Sequence, residues 1–488
     1  MDRRTFINAA GASGLGLGTG LGGAASAAPS GTLLGLLEDS SRESLPRQLA
    51  QRIRTGLRYQ DLLAALVAAA VRNVQPYPDV GYKFHSIMVL RSIDASTQHL
   101  GSGDKWLPII WAADYFKEAQ EDERANGGWR MRARAGSGAT ANARTARQRL
   151  ISALDSWDRD AADAAIVDYA MLAPPDEIFA ALFTYGARDL RAIGHKAITV
   201  ANAHALHGLL DRTQASALLR STVAALQNSD AGPNPATHDL APDRSYRQNL
   251  HLLNQIPPAW RRGRDDPALR NELRAVLYQG SPQQAGSTLL ELLRRGISPD
   301  ALWQVLFDTA AELIVARPSI VSLHAQTCAN ALHYAYRVCH DEPTQQLMLL
   351  QCASFVAMFR AATGVREQDF QLQALQAPPL EQPGNEAVEK IFSEVAAGHR
   401  SQAMRRCLGY LQSGGDATAL ISAIRHHVVY HADEPHDYKY PEAVLDSYTH
   451  SAGEAWQRRF LSAGMALFKA PAAQPSPIVA EARELLAS

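Results

Sequence analysis

The chain has 488 residues, of which 46% are hydrophobic and 20% charged, and its formal net charge is -1. This composition is typical of a globular protein and excludes general disorder. The near-neutral charge balance offers no basic face, so we expect neither nucleic acid nor an anionic membrane surface as a partner. Alanine and leucine are frequent and runs of β-branched residues are few, which favours helix over sheet.

The first residues have the pattern of an export signal. Two arginines at positions 3 and 4 precede Phe6 and Ile7, a Gly/Ala/Leu run follows, and residues 25–27 (Ala-Ser-Ala) offer a small-residue cleavage site. This order predicts a twin-arginine signal over residues 1–27, contact with the export machinery, and a periplasmic or secreted mature protein. The run is too short and too rich in glycine to span a bilayer, and we predict no membrane span elsewhere.

The chain after the signal is predicted to form a series of paired helices. Helical patterning begins near residue 49 and recurs over 62–75, 85–93, 107–119, 150–169, 178–190, 195–207 and 215–227. Residues 228–284 are polar and punctuated by proline, which is typical of a long connection. We predict a single short helix within that connection, near residues 268–278.

The helical pattern then begins again at an offset near 240. Gly56 corresponds to Gly296, His85 corresponds to His324 at an offset of 239, and His195 corresponds to His436 at 241. A slowly drifting offset predicts an internal duplication, although generic leucine periodicity is the alternative explanation. The predicted fold is therefore all-α, with two similar halves of helical hairpins related by an approximate two-fold axis. The halves cover 45–227 and 285–468, residues 228–284 connect them, and 469–488 form a C-terminal tail.

Each of the four predicted hairpins carries a histidine where its second helix begins. These residues are His85, His195, His324 and His436. Imidazole is the commonest metal ligand, and duplicated helical folds often build a site between facing helices. We predict that the four side chains converge to hold a transition metal (Fe, Cu or Zn) or a non-covalent haem. The alternative is a set of packed, structural histidines copied by the duplication. Cys-x-x-Cys-His is absent, so no c-type haem is predicted.

Four further predictions concern residues near these histidines. His427 and His431 are four positions apart on one helical face, a spacing that can clamp a metal, and we predict them as ligands. The repeat places Asp189 opposite His431, as a ligand or as the acceptor that fixes a histidine tautomer. Lys196 follows His195 and either binds an anionic substrate or extends its ammonium group to solvent. The predicted catalytic set is His195, His436, Asp189 and Lys196.

The histidine-opened helices also resemble a known family. Phe84-His85-Ser86-Ile87-Met88, His195-Lys196-Ala197-Ile198 and the stretch from Leu323 to Leu332 resemble the questin oxidase-like proteins, with the similarity spread over both halves. Some members of that family are oxygenases that insert oxygen into aromatic ketones without a tightly bound flavin. The resemblance implies an all-α, histidine-lined oxidoreductase. The export signal departs from the oxygenase members.

Together these patterns predict an exported metal- or haem-dependent enzyme, an oxidoreductase or oxygenase that acts on a small organic substrate. The alternatives are a helical binding or scaffold protein and a metal-dependent hydrolase that activates a bound water. The sequence contains no Gly-x-Gly-x-x-Gly dinucleotide fingerprint, no Gly-x-Ser-x-Gly elbow, no P-loop and no EF-hand pattern. The sequence alone indicates no oligomeric state.

Overall fold

The structure, a computed structural model, describes residues 32–76, 82–98, 100–136, 142–228, 232–377, 383–469 and 476–487. The predicted export signal lies outside these residues. Throughout the described ranges the regular structure is helical, and the β-pairing found there is one isolated bridge between Arg264 and Ile297. The predicted all-α class is confirmed, whereas the duplication of the two halves stays a prediction.

Eleven α-helices belong to the first predicted half or precede it. In chain order they are α1 (Leu33–Asp39), α2 (Leu45–Arg54), α3 (Tyr59–Asn73), α4 (His85–Met88), α5 (Leu90–Ser96), α6 (Trp106–Ala125), α7 (Ala143–Ser156), α8 (Arg159–Leu172), α9 (Pro175–Arg188), α10 (His195–His207) and α11 (Arg212–Leu226). Residues 150–169 are two helices rather than the single one predicted. Trp157 adopts a left-handed backbone conformation that ends α7, and the Asp158 carboxylate caps the amide of Ala161 at the start of α8.

The rest of the described chain continues in the same way. Its helices are α12 (Ala241–Leu253), α13 (Pro267–Gln279), α14 (Pro282–Arg294), α15 (Pro299–Ala316), α16 (Ile320–Val338), α17 (Glu342–Thr363), α18 (Asn385–Ala396), α19 (Arg400–Gln412), α20 (Ala417–His431), α21 (Pro435–Thr449), α22 (Glu454–Gly464) and α23 (Pro477–Ala487). The predicted connection thus contains α12 as well as the expected α13, and the predicted tail contains α23. The α12 helix packs on α14 and α17, and α23 packs on α2 and α6.

The histidine-bearing helices form a closed set at the centre of the fold. Helix α10 packs against α4, α5 and α16, and α21 packs against α5 and α16. Their inward faces are apolar and belong to one continuous core, which includes Ile87, Ile198, Ala325 and Tyr438. Because burying apolar area is the main stabilising term in folding, this core fixes where the four helix starts meet.

Two further features of the core bear on the predictions. The four cysteines, Cys328, Cys339, Cys352 and Cys407, are free and buried, and they pack as small core residues. Helix α17 is the one described helix that is long and apolar enough to cross a membrane, and 83% of its most apolar window is buried inside the protein. Core helices have the same length and composition.

Candidate metal centre

The four repeat histidines meet in one place. His85, His195, His324 and His436 each offer a ring nitrogen, and these nitrogens all lie within 4.8 Å of one another. Metal–nitrogen bonds of about 2.0–2.1 Å place two ligand nitrogens roughly 3–4 Å apart, so small side-chain adjustments would close this group around one ion. The predicted convergence is confirmed, and the four histidines could hold a metal ion.

The rings form a square in which corresponding repeat positions lie opposite each other. His85 and His324 are each next to His195 and His436, with ring centroids 4.6–5.1 Å apart along the four sides. All four contacts are edge-to-face. A two-fold axis through the centre would relate the diagonal pairs, as the repeat arithmetic predicts.

Three of the four histidines lie in the first turn of their helices. His85 and His195 are the first residues of α4 and α10, and His436 is the second residue of α21. His324 is the fifth residue of α16, so its helix begins one turn earlier than predicted. Ser319 caps α16 by accepting from the amide of Ser322, which accounts for the extra turn.

Hydrogen bonds determine which ring nitrogens face the centre. The Nδ1 of His324 lies 2.7 Å from the carbonyl oxygen of Ile320. A carbonyl can only accept, so Nδ1 carries the proton and Nε2 keeps its lone pair. That Nε2 is 3.0 Å from Nε2 of His195, whose own Nδ1 is buried without a hydrogen-bond partner. Because Nε2 of His324 holds a lone pair, Nε2 of His195 donates the proton across this contact, and a cation that replaced this proton could be bound by both nitrogens.

One ring nitrogen of His436 faces a carboxylate at the edge of the centre and the other has no partner. Its Nδ1 lies 3.7 Å from Oε2 of the largely exposed Glu434, which is beyond hydrogen-bond distance, and its Nε2 is buried without a hydrogen-bond partner. The orphaned Nε2 is therefore the nitrogen best placed to bind an ion.

Burial keeps these imidazoles in the neutral form that metals require. Desolvation lowers the pKa of His195 well below its usual value, and the neighbouring histidines lower it further. Desolvation, followed by the charge of Lys439, lowers the pKa of His436 to about 3. Neutral imidazoles have lone pairs available at neutral pH, so protons compete weakly for the site.

The stability of the metal-free protein should fall steeply in acid. Burial lowers the pKa of His333 to about 3 and that of His427 to about 4, as it does for His436. Below pH 6.5 the unfolded chain binds protons at these positions and the folded chain does not, so acid favours unfolding. Each of these histidines should lower the free energy of unfolding by about 1.4 kcal/mol per pH unit below pH 6.5, until the pH reaches the pKa of that histidine in the folded protein. Urea unfolding between pH 7 and 4.5 measures this, and an unchanged free energy of unfolding would contradict it.

A strained turn places His195 at the start of α10. Ile193 has a φ of 46° and Gly194 a φ of 85°, and a β-branched residue rarely adopts the left-handed region. Such strain persists only where the surroundings enforce it, and it is concentrated at functional sites. Gly194 is also in close contact with α16, because a Cβ there would lie 2.6 Å from Sγ of Cys328. The turn therefore sets the distance between His195 and His324.

We expect Gly194→Ala to weaken metal binding and to destabilise the protein by about 1–3 kcal/mol through backbone strain alone. The clash with Cys328 would add to this and push α10 away from α16. Gly208→Ala, at the other end of α10, is the matched control, because its φ is -68° and no atom lies within 4 Å of the added Cβ. Calorimetry and metal titration would measure the stability and the metal affinity of both variants. Equal stability and equal affinity of the two variants would contradict the positioning role of Gly194.

Asp189 and Lys196 are in an ion-pair network beside the centre rather than in the histidine square. Lys196 Nζ donates to Asp189 Oδ2 at 2.6 Å and to the carbonyl oxygen of Asn228 at 2.9 Å. Arg191 bridges Asp189 and Asp243, and all four charged side chains are buried. Burial raises the pKa of Asp189, but Lys196 and Arg191 outweigh it and hold that pKa below its usual range. These contacts account for both residues structurally, and Lys196 does not extend to solvent.

His427 and His431 lie outside the four-histidine group. Nε2 of His427 lies 2.8 Å from the carbonyl oxygen of Lys469 and so donates a hydrogen bond, while its ring stacks on Phe392. The rings of His427 and His431 are 4.7 Å apart, as their spacing predicts. The pair belongs to no group of three or more ligating side chains among the described residues, so the structure places no third ligand beside it.

A cavity of about 160 Å³ lies next to the square. Each histidine helix contributes the residue three positions after its histidine to the wall: Met88, Ile198, Thr327 and Lys439. At 1.5 Å per residue these side chains lie about 4.5 Å further along the helices than the histidines. The sequence analysis missed these wall residues, although the common +3 spacing is visible once the four histidines are aligned.

Comparison of the chain with protein-family models, with curated proteins and with solved structures finds no match.

Proposed function

We propose that the chain is a metal-dependent oxidoreductase whose ion is bound by His85, His195, His324 and His436. The observation that carries this proposal is the convergence of four buried ring nitrogens within 4.8 Å, with no cysteine or carboxylate in the group. Borderline metals such as Fe, Cu, Ni and Zn favour imidazole ligands. In a purely structural cluster, we expect the buried ring nitrogens to have hydrogen-bond partners. Nε2 of His436 is buried without one.

The number of ligands favours a redox metal over hydrolytic zinc. Catalytic zinc sites have three protein ligands and keep the fourth tetrahedral position for water, and structural zinc sites are rich in cysteine. Four histidines would fill a tetrahedral shell. Iron or copper accepts five or six ligands and would keep a position for a small molecule, supplying one-electron or oxygen chemistry. The resemblance of the histidine-opened helices to questin oxidase-like proteins supports the same choice.

The geometry favours an ion over a haem. Protein ligands reach haem iron axially, on the two faces of the macrocycle. Here the four nitrogens lie within 4.8 Å of one another, which leaves no space for a porphyrin between them. The cavity beside them, about 160 Å³, is too small for one.

Export in the folded state would suit such a centre. The twin-arginine pattern of residues 1–27 is that of a route that carries folded proteins, often with the cofactor already loaded. A metal bound before export would be selected from the cytoplasmic pool rather than outside. Periplasmic or secreted location and contact with the export machinery belong to this proposal.

Oxygen consumption by matched metal forms tests the redox role. The purified metal-free protein would be loaded anaerobically with Fe(II), Cu(II) or Zn(II) and then exposed to oxygen with a panel of small organic acids, alcohols and phenols. We expect substrate-dependent oxygen uptake with iron or copper and none with zinc. Hydrolysis of esters of the same acids by the zinc form, without oxygen uptake by any form, would favour the metal-dependent hydrolase, and failure to bind any of the metals would favour the binding or scaffold alternative.

A further inference from the structure

The cavity beside the histidine square is lined mainly by residues of the four histidine helices and of α5. Behind the first layer of wall residues, a second layer lies six or seven positions after each histidine, at Arg91, Asn202, Asn330 and Glu442. The wall continues to Asp446 and His450 near the end of α21. The four histidines are not themselves part of the cavity wall, and the first layer is the part of the wall that follows them most closely in each helix.

Most of the charged groups in the wall are already neutralised by one another. Arg425 pairs with Glu442 at 3.1 Å, and Arg91 pairs with Asp446 at 3.2 Å. Asp446 also accepts from Asn330 at 2.7 Å. These pairs form a polar wall with little net charge, so they do not explain what the cavity would bind.

Three wall groups have no hydrogen-bond partner. They are Nζ of Lys439, Oγ1 of Thr327 and Oδ1 of Asn202. Their residues are only 4%, 5% and 6% exposed, and all three line the cavity. A buried polar atom without a partner costs about 1–3 kcal/mol, so such atoms in a cavity wall point to a ligand that satisfies them.

The kind of ligand follows from the charge and the hydrogen-bonding capacity of these groups. A divalent ion on four neutral imidazoles carries an uncompensated charge of +2, and buried charge is costly unless it is paired. Lys439 adds a donor, and Thr327 can donate or accept. Oδ1 of Asn202 only accepts and thus requires a donor on the ligand.

We propose that this cavity is the substrate site and that its substrate is a small organic acid that also carries a hydroxyl group. The carboxylate would lie toward Lys439 and the histidine centre, with Thr327 as a second partner. The hydroxyl would donate to Oδ1 of Asn202. This assignment rests on the proposed metal function, because the ion supplies the charge that the carboxylate balances.

Calorimetric titration of the zinc-loaded protein tests the assignment without turnover. The probes are lactate and mandelate, which share a 2-hydroxy acid group and differ in size, together with lactamide, which lacks the charge. We expect lactate to bind and lactamide to bind at least about 10-fold more weakly, because hydrogen bonds to charged groups are worth about 1.5–3 kcal/mol. Comparison of mandelate with lactate shows whether the cavity accepts a phenyl group in place of a methyl group. Binding of lactamide as tight as that of lactate overturns the proposal.

Three variants locate the bound acid. Lys439→Met, Thr327→Val and Asn202→Leu should each weaken lactate binding about 10-fold or more and leave zinc stoichiometry unchanged. Thr222→Val is the matched control, because this buried helical threonine lies outside the cavity wall and donates to the carbonyl of Leu218. Far-UV circular dichroism checks that each variant folds.

The outcomes separate the two proposals. If the protein takes up no metal, the proposed function fails and the substrate assignment fails with it. If zinc binds stoichiometrically but neither lactate nor mandelate binds, the substrate assignment alone is overturned. Lactate binding that survives all three substitutions would also overturn it, because the acid would then lie elsewhere.

Discussion

Replacing His195 or His436 by alanine is expected to weaken metal binding more than about 100-fold. Each substitution removes one of four nitrogens that lie within 4.8 Å of one another. Loss of an outer-shell partner alone typically costs 10–100-fold in metal affinity, so loss of a direct ligand should cost more. Competition with a chelator of known affinity measures this for Fe(II) and Zn(II).

Two control variants show whether the effect is specific. His207→Ala changes another histidine of α10, which packs edge-on against Phe179 rather than in the square. His427→Ala changes a histidine of α20 whose Nε2 already donates to a carbonyl. Both should retain wild-type metal affinity. A loss of affinity in His427→Ala that matches the loss in His436→Ala would instead support the predicted role of His427 and His431 as ligands.

Asp189→Ala is expected to destabilise the protein by about 3–5 kcal/mol, because removing one partner leaves a buried charge uncompensated. The Lys196 ammonium, 2.6 Å from Oδ2 of Asp189, would lose this carboxylate and retain the carbonyl of Asn228 and the ring of Trp157, neither of which carries a compensating charge. Arg191 would retain Asp243. Urea unfolding measures the change in the free energy of unfolding.

The matched control for this prediction is Asp239→Ala. Asp239 is exposed and pairs with Arg244 and Arg247, and exposed ion pairs contribute at most about 1 kcal/mol. If Asp189→Ala costs as little as this control yet abolishes activity, Asp189 is catalytic and the structural explanation is wrong. If stability falls while the folded fraction keeps its metal affinity, the ion-pair network is structural.

The convergence of the four histidines was predictable because it depends on a spacing that the chain repeats. Offsets of 239 and 241 place His324 and His436 at positions corresponding to His85 and His195. Apolar periodicity of 3.6 residues then predicts the helices that carry them. The extra helical turn before His324 did not affect the prediction, because the side chain still faces the square.

The roles of Asp189 and Lys196 were not predictable in the same way. Lys196 also donates to Asn228, and Arg191 links Asp189 to Asp243; both Asn228 and Asp243 belong to a region predicted to be a connection. The helix at Ala241–Leu253, which carries Asp243, packs against α14 and α17, and the residues it buries are mostly polar: Pro242, Asp243, Ser245 and Asn249. Tertiary contacts of this kind override local propensity.

The cavity residues were missed for a different reason. Lys439, Thr327 and Asn202 are ordinary residues for a helix, and only the arrangement of the four helices shows that they face one space. Their missing hydrogen-bond partners are a property of the packed structure. Sequence patterns therefore located the four converging histidines, whereas the unpartnered groups of the cavity wall depend on how the helices pack.

The metal content of the full-length protein, purified through its native export route, tests the central claim most directly. Elemental analysis should find close to one equivalent of iron or copper per chain, and the His195→Ala variant prepared in parallel should contain almost none. A folded wild-type protein with substoichiometric Fe, Cu, Zn, Mn and Ni, which also fails to take up these metals on reconstitution, would contradict the account.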